Sequence, residues 1–248
     1  MGSGSRGNST LIEDEDTCIL VDLGFTLKET LRRLHRLGRN PEDICAILVT
    51  HEHADHIHGV AAFARKYGTP VYLTPGTYNR ARMGVMPSVH KVNCHRAFRI
   101  RNIGVEPVPV PHDAKEPCQY ILSSRRRKVG VLTDLGHITP WVEQQYERCD
   151  ALLLECNHDY RMLMDGPYPW PLKQRVGGLH GHLSNEQSAE LLHKVEMSRL
   201  QHLIICHISE QNNLPALAMD AVQEPTARWS GELHVASQDD GFRWIELN

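Results

Sequence analysis

Residues 44–56, Ile44-Cys45-Ala46-Ile47-Leu48-Val49-Thr50-His51-Glu52-His53-Ala54-Asp55-His56, run from an apolar segment directly into an H-x-H-x-D-H cluster. The apolar part predicts a buried strand over 44–49, and the cluster falls where that strand would end, in the kind of loop that carries sites. Neutral imidazole nitrogens and carboxylate oxygens are ligands for zinc and its neighbouring transition metals. A merely solvated loop has no need of so many of them in succession, so the cluster reads as a metal site.

Upstream, Thr10–Ile12 and Cys18–Val21 flank the acidic run Glu13-Asp14-Glu15-Asp16 and predict a hairpin. Thr26 and Glu29 form a capping-box pair ahead of Leu27, Leu31, Leu34 and Leu37, and Gly38 supplies a stop, so a helix is expected there. Downstream, His58 is expected to start a helix that runs on over 60–67. Further strands are expected at 71–73, 105–110, 119–122, 129–132, 152–154 and 203–206, with helices near 75–82, 139–147, 184–195 and 214–223. Strands covered by helices in this way suggest an α/β protein of two packed sheets flanked by helices. The order of the strands stays open.

Four later segments place candidate ligands just after apolar runs: Pro111-His112-Asp113, Thr133-Asp134-Leu135-Gly136-His137, Glu155-Cys156-Asn157-His158-Asp159 and Cys206-His207-Ile208-Ser209. Each is weak evidence alone. Together with the first cluster they supply donors for two metal ions. His35, His90, His95, His193, His202 and His234 carry no spacing signal and read as structural or surface residues.

Composition narrows the classes. A hydrophobic content of 41% over 248 residues allows a real core, and no linker or repeat divides the chain, so one domain spanning 1–248 is expected. No segment reads as a membrane span or a signal sequence, and the cytoplasm is the expected compartment. The seven cysteines include no C-x-x-C pair and read as reduced, mostly structural thiols. A net charge of −3 argues against a globally basic nucleic-acid binder. Yet Ile57–Val105 contains no Asp or Glu while holding Arg65, Lys66, Arg80, Arg82, Lys91, Arg96, Arg99 and Arg101, which allows a local positive field for an anionic substrate. Arg125-Arg126-Arg127-Lys128 reads as a solvated hairpin tip.

In order along the chain, His51, His53, Asp55, His56, His112, Asp134 and His207 resemble the ligand motifs of the metallo-β-lactamase fold superfamily over nearly the whole chain. The resemblance implies a four-layer αββα sandwich with the site at one rim. It also implies His51, His53 and His112 on one metal, Asp55, His56 and His207 on another, and Asp134 bridging the two. More narrowly, residues 2–10, His112-Asp113-Ala114, Glu155–Asp159 and Gly181-His182-Leu183-Ser184-Asn185 look like the YycJ (WalJ) branch, treated as DNA exonuclease-like. The chain is also similar to PhnP, a cyclic phosphodiesterase, and more distantly to tRNase Z. Members usually carry a short strand before the Gly/Ser loop, whereas this sequence begins inside that loop. Only 72 residues separate Asp134 from His207, which leaves no room for the β-CASP insertion of RNase J-type nucleases.

These readings imply two divalent ions, zinc first and manganese or iron as alternatives, that activate water for phosphodiester cleavage. Asp55 and Asp134 would serve the metals, and His182, just ahead of the Ser184–Gln187 capping box, is the candidate general acid or phosphate clamp. Asp113 and Glu155 would orient ligand imidazoles, with His137, His158, His180 and Ser209 as further candidates near substrate. The Gly/Ser loop at 2–9 could present amides to a phosphate. The expected function is a nucleic-acid phosphodiesterase, most sharply a 5′-to-3′ DNA exonuclease. The alternative is a small-molecule hydrolase on the same metals, either a cyclic phosphodiesterase or a β-lactamase- or thioesterase-like enzyme.

Overall fold

The computed structural model describes residues 1–125 and 127–248, with Arg80 described by its backbone alone. Arg126 of the basic run, and the Arg80 side chain of the acid-free stretch, therefore lie outside the described residues. The expected hairpin forms from β1 (Thr10–Asp14) and β2 (Thr17–Val21), paired from Thr10↔Val21 to Asp14↔Thr17. Helix α1 (Leu27–Arg36) starts where Thr26 Oγ1 accepts from the Glu29 amide at 3.3 Å, a cap of about 1 kcal/mol. Glu29 does not close the box: its carboxylate turns to Arg32 and Arg33. Gly38 follows with φ +69°, a conformation that suits a residue without Cβ and ends the helix.

β3 (Ile44–Leu48) delivers the histidine cluster, whose second half coils into the one-turn helix α2 (Ala54–Ile57). His58 caps the end of that turn, and Gly59 is the residue that opens α3 (Val60–Tyr67). The expected start at His58 is therefore displaced by one residue, because ligand geometry coils the cluster itself. β4 (Val71–Leu73) follows. The helix expected near 75–82 shrinks to α4 (Arg80–Met83), since Thr74 and Thr77 hydroxyls bond each other and spend the preceding residues on a turn. β5 (Val89–Lys91) completes a five-stranded sheet ordered β1-β2-β3-β4-β5, in which β2 to β5 are parallel.

The second sheet begins with the antiparallel strands β6 (Phe98–Ile100), β7 (Ile103–Pro109), β8 (Cys118–Ser124) and β9 (Arg127–Leu132). After α5 (Pro140–Tyr146) comes β10 (Ala151–Glu155), then α6 (Tyr160–Asp165), α7 (Trp170–Val176) and α8 (Asn185–Lys194). β11 (His202–Cys206), α9 (Pro215–Gln223) and β12 (Glu232–Val235) close it in the order β12-β11-β10-β9-β8-β7-β6, with β9 to β12 parallel. β5, β6 and β12 were not expected, being only three or four residues long and each interrupted by charged or histidine side chains.

Period-two alternation assigns the core to layers. Ile19, Val21, Ala46 and Leu48 of the first sheet meet Val105, Tyr120, Val131, Leu153 and Ile204 of the second, forming the layer between sheets. The alternate residues Leu20 and Ile47 pack outward with Leu34 of α1 and Phe63 of α3. On the other side Leu152, Leu154, Leu203 and Ile205 pack with Val142, Leu191, Leu192, Ala218 and Val222 of α5, α8 and α9. The result is the four-layer αββα sandwich. Five of the seven thiols are buried and all seven are free, and burial raises Cys18, Cys118 and Cys156 to about 12, as expected of inert structural cysteines. Among the described residues no helix is long and apolar enough to cross a membrane.

Candidate metal centre

The parallel strands β2, β3, β9 and β11 end at one rim, as does β7, and four of the seven candidate ligands sit one to three residues past a strand end: His51 after β3, His112 after β7, Asp134 after β9 and His207 after β11, with Asp22 in the same place after β2. Crevices at the carboxyl ends of strands are where open α/β sheets place their sites. Asp22, Asp134 and His207 hold φ values of +59°, +53° and +53°. Left-handed backbone at such residues costs on the order of 1–2 kcal/mol each, so the rim stores strain in order to turn these side chains inward.

Two donor groups form there. His51, His53 and His112 offer three nitrogens within 4.8 Å of one another, and Asp55, His56, Asp134 and His207 offer a second set within the same limit. The groups are contiguous, the His51 and His56 ring centroids being 4.2 Å apart. Asp134 stands in the second: its Oδ2 is 3.3 Å from His56 Nε2 and its Oδ1 is 3.4 Å from His207 Nε2.

His51, His56, His112, His182 and His207 are oriented from behind. His112 Nδ1 donates to the Gly181 carbonyl at 3.0 Å, and His51 Nδ1 lies 3.0 Å from Thr50 Oγ1, which frees both Nε2 atoms for the site. His56 Nδ1 meets Asp22 Oδ2 at 2.8 Å, and Asp22 also accepts from the Thr50 amide and hydroxyl. Fully buried Glu155 takes His207 Nδ1 at 3.0 Å and His182 Nδ1 at 2.8 Å on one oxygen, while the other accepts the Leu183 amide at 3.0 Å. Such carboxylate–imidazole pairs behind a metal fix the tautomer and raise ligand basicity.

The donor set fits a metal on an observation independent of its residue types. Buried His51 Nε2, Asp134 Oδ2 and His207 Nε2 find no hydrogen-bond partner, and orphaned polar atoms at such depth carry a desolvation cost of about 1–3 kcal/mol each unless something binds them. The electrostatics point the same way. Burial opposes charge on His56 and His207, yet Asp134 with Asp22 and Asp55 lifts His56 well above the usual imidazole range, and Asp134, Asp55 and Glu155 lift His207 to about 10. These carboxylates thus favour positive charge at the place a cation would take. In the first group burial, together with neighbouring imidazoles, pushes His51 well down and His112 down, leaving neutral ligands ready to bind.

The remaining candidates fall at varied distances from the two donor groups. His182 lies beside both, its ring 5.3 Å from His112 and 5.2 Å from His207. Asp113 Oδ1 is 3.4 Å from His112 Nε2 and 3.7 Å from His53 Nε2, and its other oxygen is held by Arg175. His158 is buried behind Glu155 with an unpartnered Nδ1, and burial lowers it to about 4. His137 Nδ1 is tied to the Leu179 carbonyl at 2.8 Å, and exposed His180 belongs to the same loop. Ser209 Oγ accepts from the Asn212 amide at 3.2 Å and caps the turn there. Sequence reasoning missed Asp22 and Asn8, whose Nδ2 lies 3.2 Å from Asp55 Oδ2; single residues after a strand and in a Gly/Ser loop have no spacing to announce them.

Two electrostatic expectations need correction. The amides of Ser3, Gly4, Arg6, Gly7, Asn8 and Ser9 all donate to protein acceptors, so the Gly/Ser loop offers these none for phosphate. It buttresses instead: Ser3 Oγ accepts the His207 amide at 2.9 Å, and Gly24 must lack a Cβ because one would lie 1.7 Å from the Asp55 carbonyl oxygen. Nor does the acid-free stretch form one field. Arg82 reaches the Glu52 carbonyl at the rim, whereas Arg101 bonds the Asp16 carbonyl at the opposite end of the sandwich. There Arg125 pairs with Glu15, and Arg127 with Asp150.

Known proteins share the sequence and the fold. The β-lactamase superfamily domain matches residues 17–208. Exodeoxyribonuclease WalJ of Streptococcus pneumoniae is 37% identical over 224 residues, 88% of this chain and 83% of its own. Exodeoxyribonuclease YycJ of Bacillus anthracis is 35% identical over 230 residues, 90% of this chain and 86% of its own. Among solved structures, the short form of human tRNase Z superposes with a TM-score of 0.70 at 16% identity, covering 100% of this chain and 97% of that one. A diphosphatase of the PhnP family superposes with a TM-score of 0.65 at 21% identity, covering 94% and 81%. The matched domain, the αββα layers and the histidine–aspartate rim make this chain a member of the metallo-β-lactamase superfamily, in the branch that includes WalJ and YycJ.

Proposed function

We propose that this protein is a two-metal phosphodiester hydrolase that degrades DNA from a 5′ end. The observation that carries the reading is the pair of contiguous donor groups on one rim, in a chain 37% identical to an exodeoxyribonuclease over most of its length. His51, His53 and His112 would hold one ion, Asp55, His56 and His207 the other, and Asp134 would span them. Zinc suits this donor set, with manganese and iron as alternatives. When bound, such a pair supplies an activated water and neutralises charge on the scissile phosphodiester.

The chain's own residues do the rest. Glu155 occupies His182 Nδ1, so Nε2 is the atom from which a proton passes to the departing oxygen. Although burial opposes it, Glu155 raises the affinity of His182 for that proton. Arg82, Lys115 and Arg175 stand around the rim near Glu52 and Asp113, where they can meet the phosphate backbone. The protein works as one domain, and seven free thiols suit the reducing cytoplasm.

The test is a side-by-side incubation of metal-loaded protein with DNA labelled at either end, RNA, a cyclic phosphodiester and nitrocefin. Release of label first from the 5′ end of DNA is expected. Rapid turnover of the cyclic diester or nitrocefin with intact DNA would overturn the reading.

A further inference from the structure

A second metal-ligating cluster lies at the opposite end of β11. His202, Glu232 and His234 each offer a ligand atom, all within 4.8 Å of one another. Parallel pairing of β11 with β12 matches His202 to Glu232 and Ile204 to His234, so the register places the three on one face of the sheet. His202 Nδ1 and His234 Nε2 are 3.1 Å apart, and Glu232 Oε2 lies 3.9 Å and 3.6 Å from them. Two nitrogens bound at about 2.05 Å to a tetrahedral ion sit about 3.3 Å from each other, so the strands already hold the imidazoles at ligand spacing. His202 is half-buried at 13% side-chain exposure and Glu232 is open to solvent at 72%, which leaves the carboxylate side free for an ion to enter. Among the described residues Glu232 has no Lys or Arg as an ion-pair partner, only these two histidines.

We infer that His202, Glu232 and His234 form a separate site for a single divalent transition-metal ion. His207 lies five positions beyond His202, about 17 Å along the strand, so the cluster is independent of the rim. Two imidazoles and one carboxylate with open positions suit zinc, nickel or copper(II) rather than calcium or magnesium. The ion would clip the short edge strand β12 to β11.

Metal-free full-length protein is dialysed against zinc, and bound metal is counted by elemental analysis beside His234→Ala and Glu232→Gln variants. Both variants are expected to bind one ion fewer per chain than the parent while hydrolysing the rim's substrate at the parent rate. Copper(II) added to the parent should show nitrogen hyperfine structure that His234→Ala diminishes. Circular dichroism verifies folding, and Glu232→Gln retains the test if His234→Ala unfolds. Equal metal content in parent and folded variants would overturn the inference, whatever the rim's activity proves to be.

Discussion

The two donor groups on the rim nearly touch, yet they are made of opposite materials. The first group is made of imidazoles, of which burial keeps His51 and His112 neutral while a hydroxyl and a backbone carbonyl orient them, and the adjacent carboxylate, Asp113, is partly exposed and shared with Arg175. The other group contains Asp55 and Asp134 and is backed by buried Asp22 and Glu155. The difference teaches that the rim is a charge gradient. An ion in the second group meets Asp55 and Asp134 with Asp22 and Glu155 behind them in a dry setting, whereas one in the first would have Asp134 as its single carboxylate, so the second ion should be held more tightly and the first exchange more readily.

The contrast breaks most completely at Asp134, the residue that would serve both ions. Asp134→Ala is expected to lower DNA hydrolysis on the order of 10³-fold or more while circular dichroism stays unchanged. Glu155→Gln attacks the second group from behind. It should weaken that ion about 10–100-fold and leave the first unaffected, as read by competition with a chelator. Equal weakening of both ions would erase the proposed asymmetry.

Glu155 also sets an acid limit on the metal-free protein. Burial opposes its charge, but His182 and His207 hold it at about 2, against 4.5 unfolded. A depressed carboxyl contributes stability that is fully present above about 4.5 and is lost as pH falls through about 2. Chemical denaturation of metal-free protein across that window should show the loss, and Glu155→Gln should flatten it. A smaller effect is expected from His182→Ala, about 10²-fold slower turnover with metal content retained. Loss of an ion in this variant would make His182 a ligand instead, since its Nδ1 is only 3.7 Å from Asp134.

What could be read from sequence follows the same contrast. The rim's principal residues were legible because each stands just after an apolar run, and strands announce themselves by such runs. Supporting residues were hidden. Asp22 acts through Thr50 and His56, a relation only sheet pairing creates, and Asn8 acts across a loop. His202 and His234 looked unremarkable because 31 residues separate them and only the β11–β12 register joins them. The basic stretch misled for the complementary reason: residues of one stretch of sequence, such as Arg82 and Arg101, were carried by the strands to opposite ends of the sandwich.

The central claim is that two ions at the rim act together on DNA. It is tested most directly by adding zinc or manganese stepwise to metal-free protein carrying His234→Ala, which keeps the far cluster out of the count, while following label released from the 5′ end of DNA. The account predicts little hydrolysis as the first equivalent binds and a steep rise with the second. Full activity at one equivalent, or label released first from the 3′ end, would contradict it.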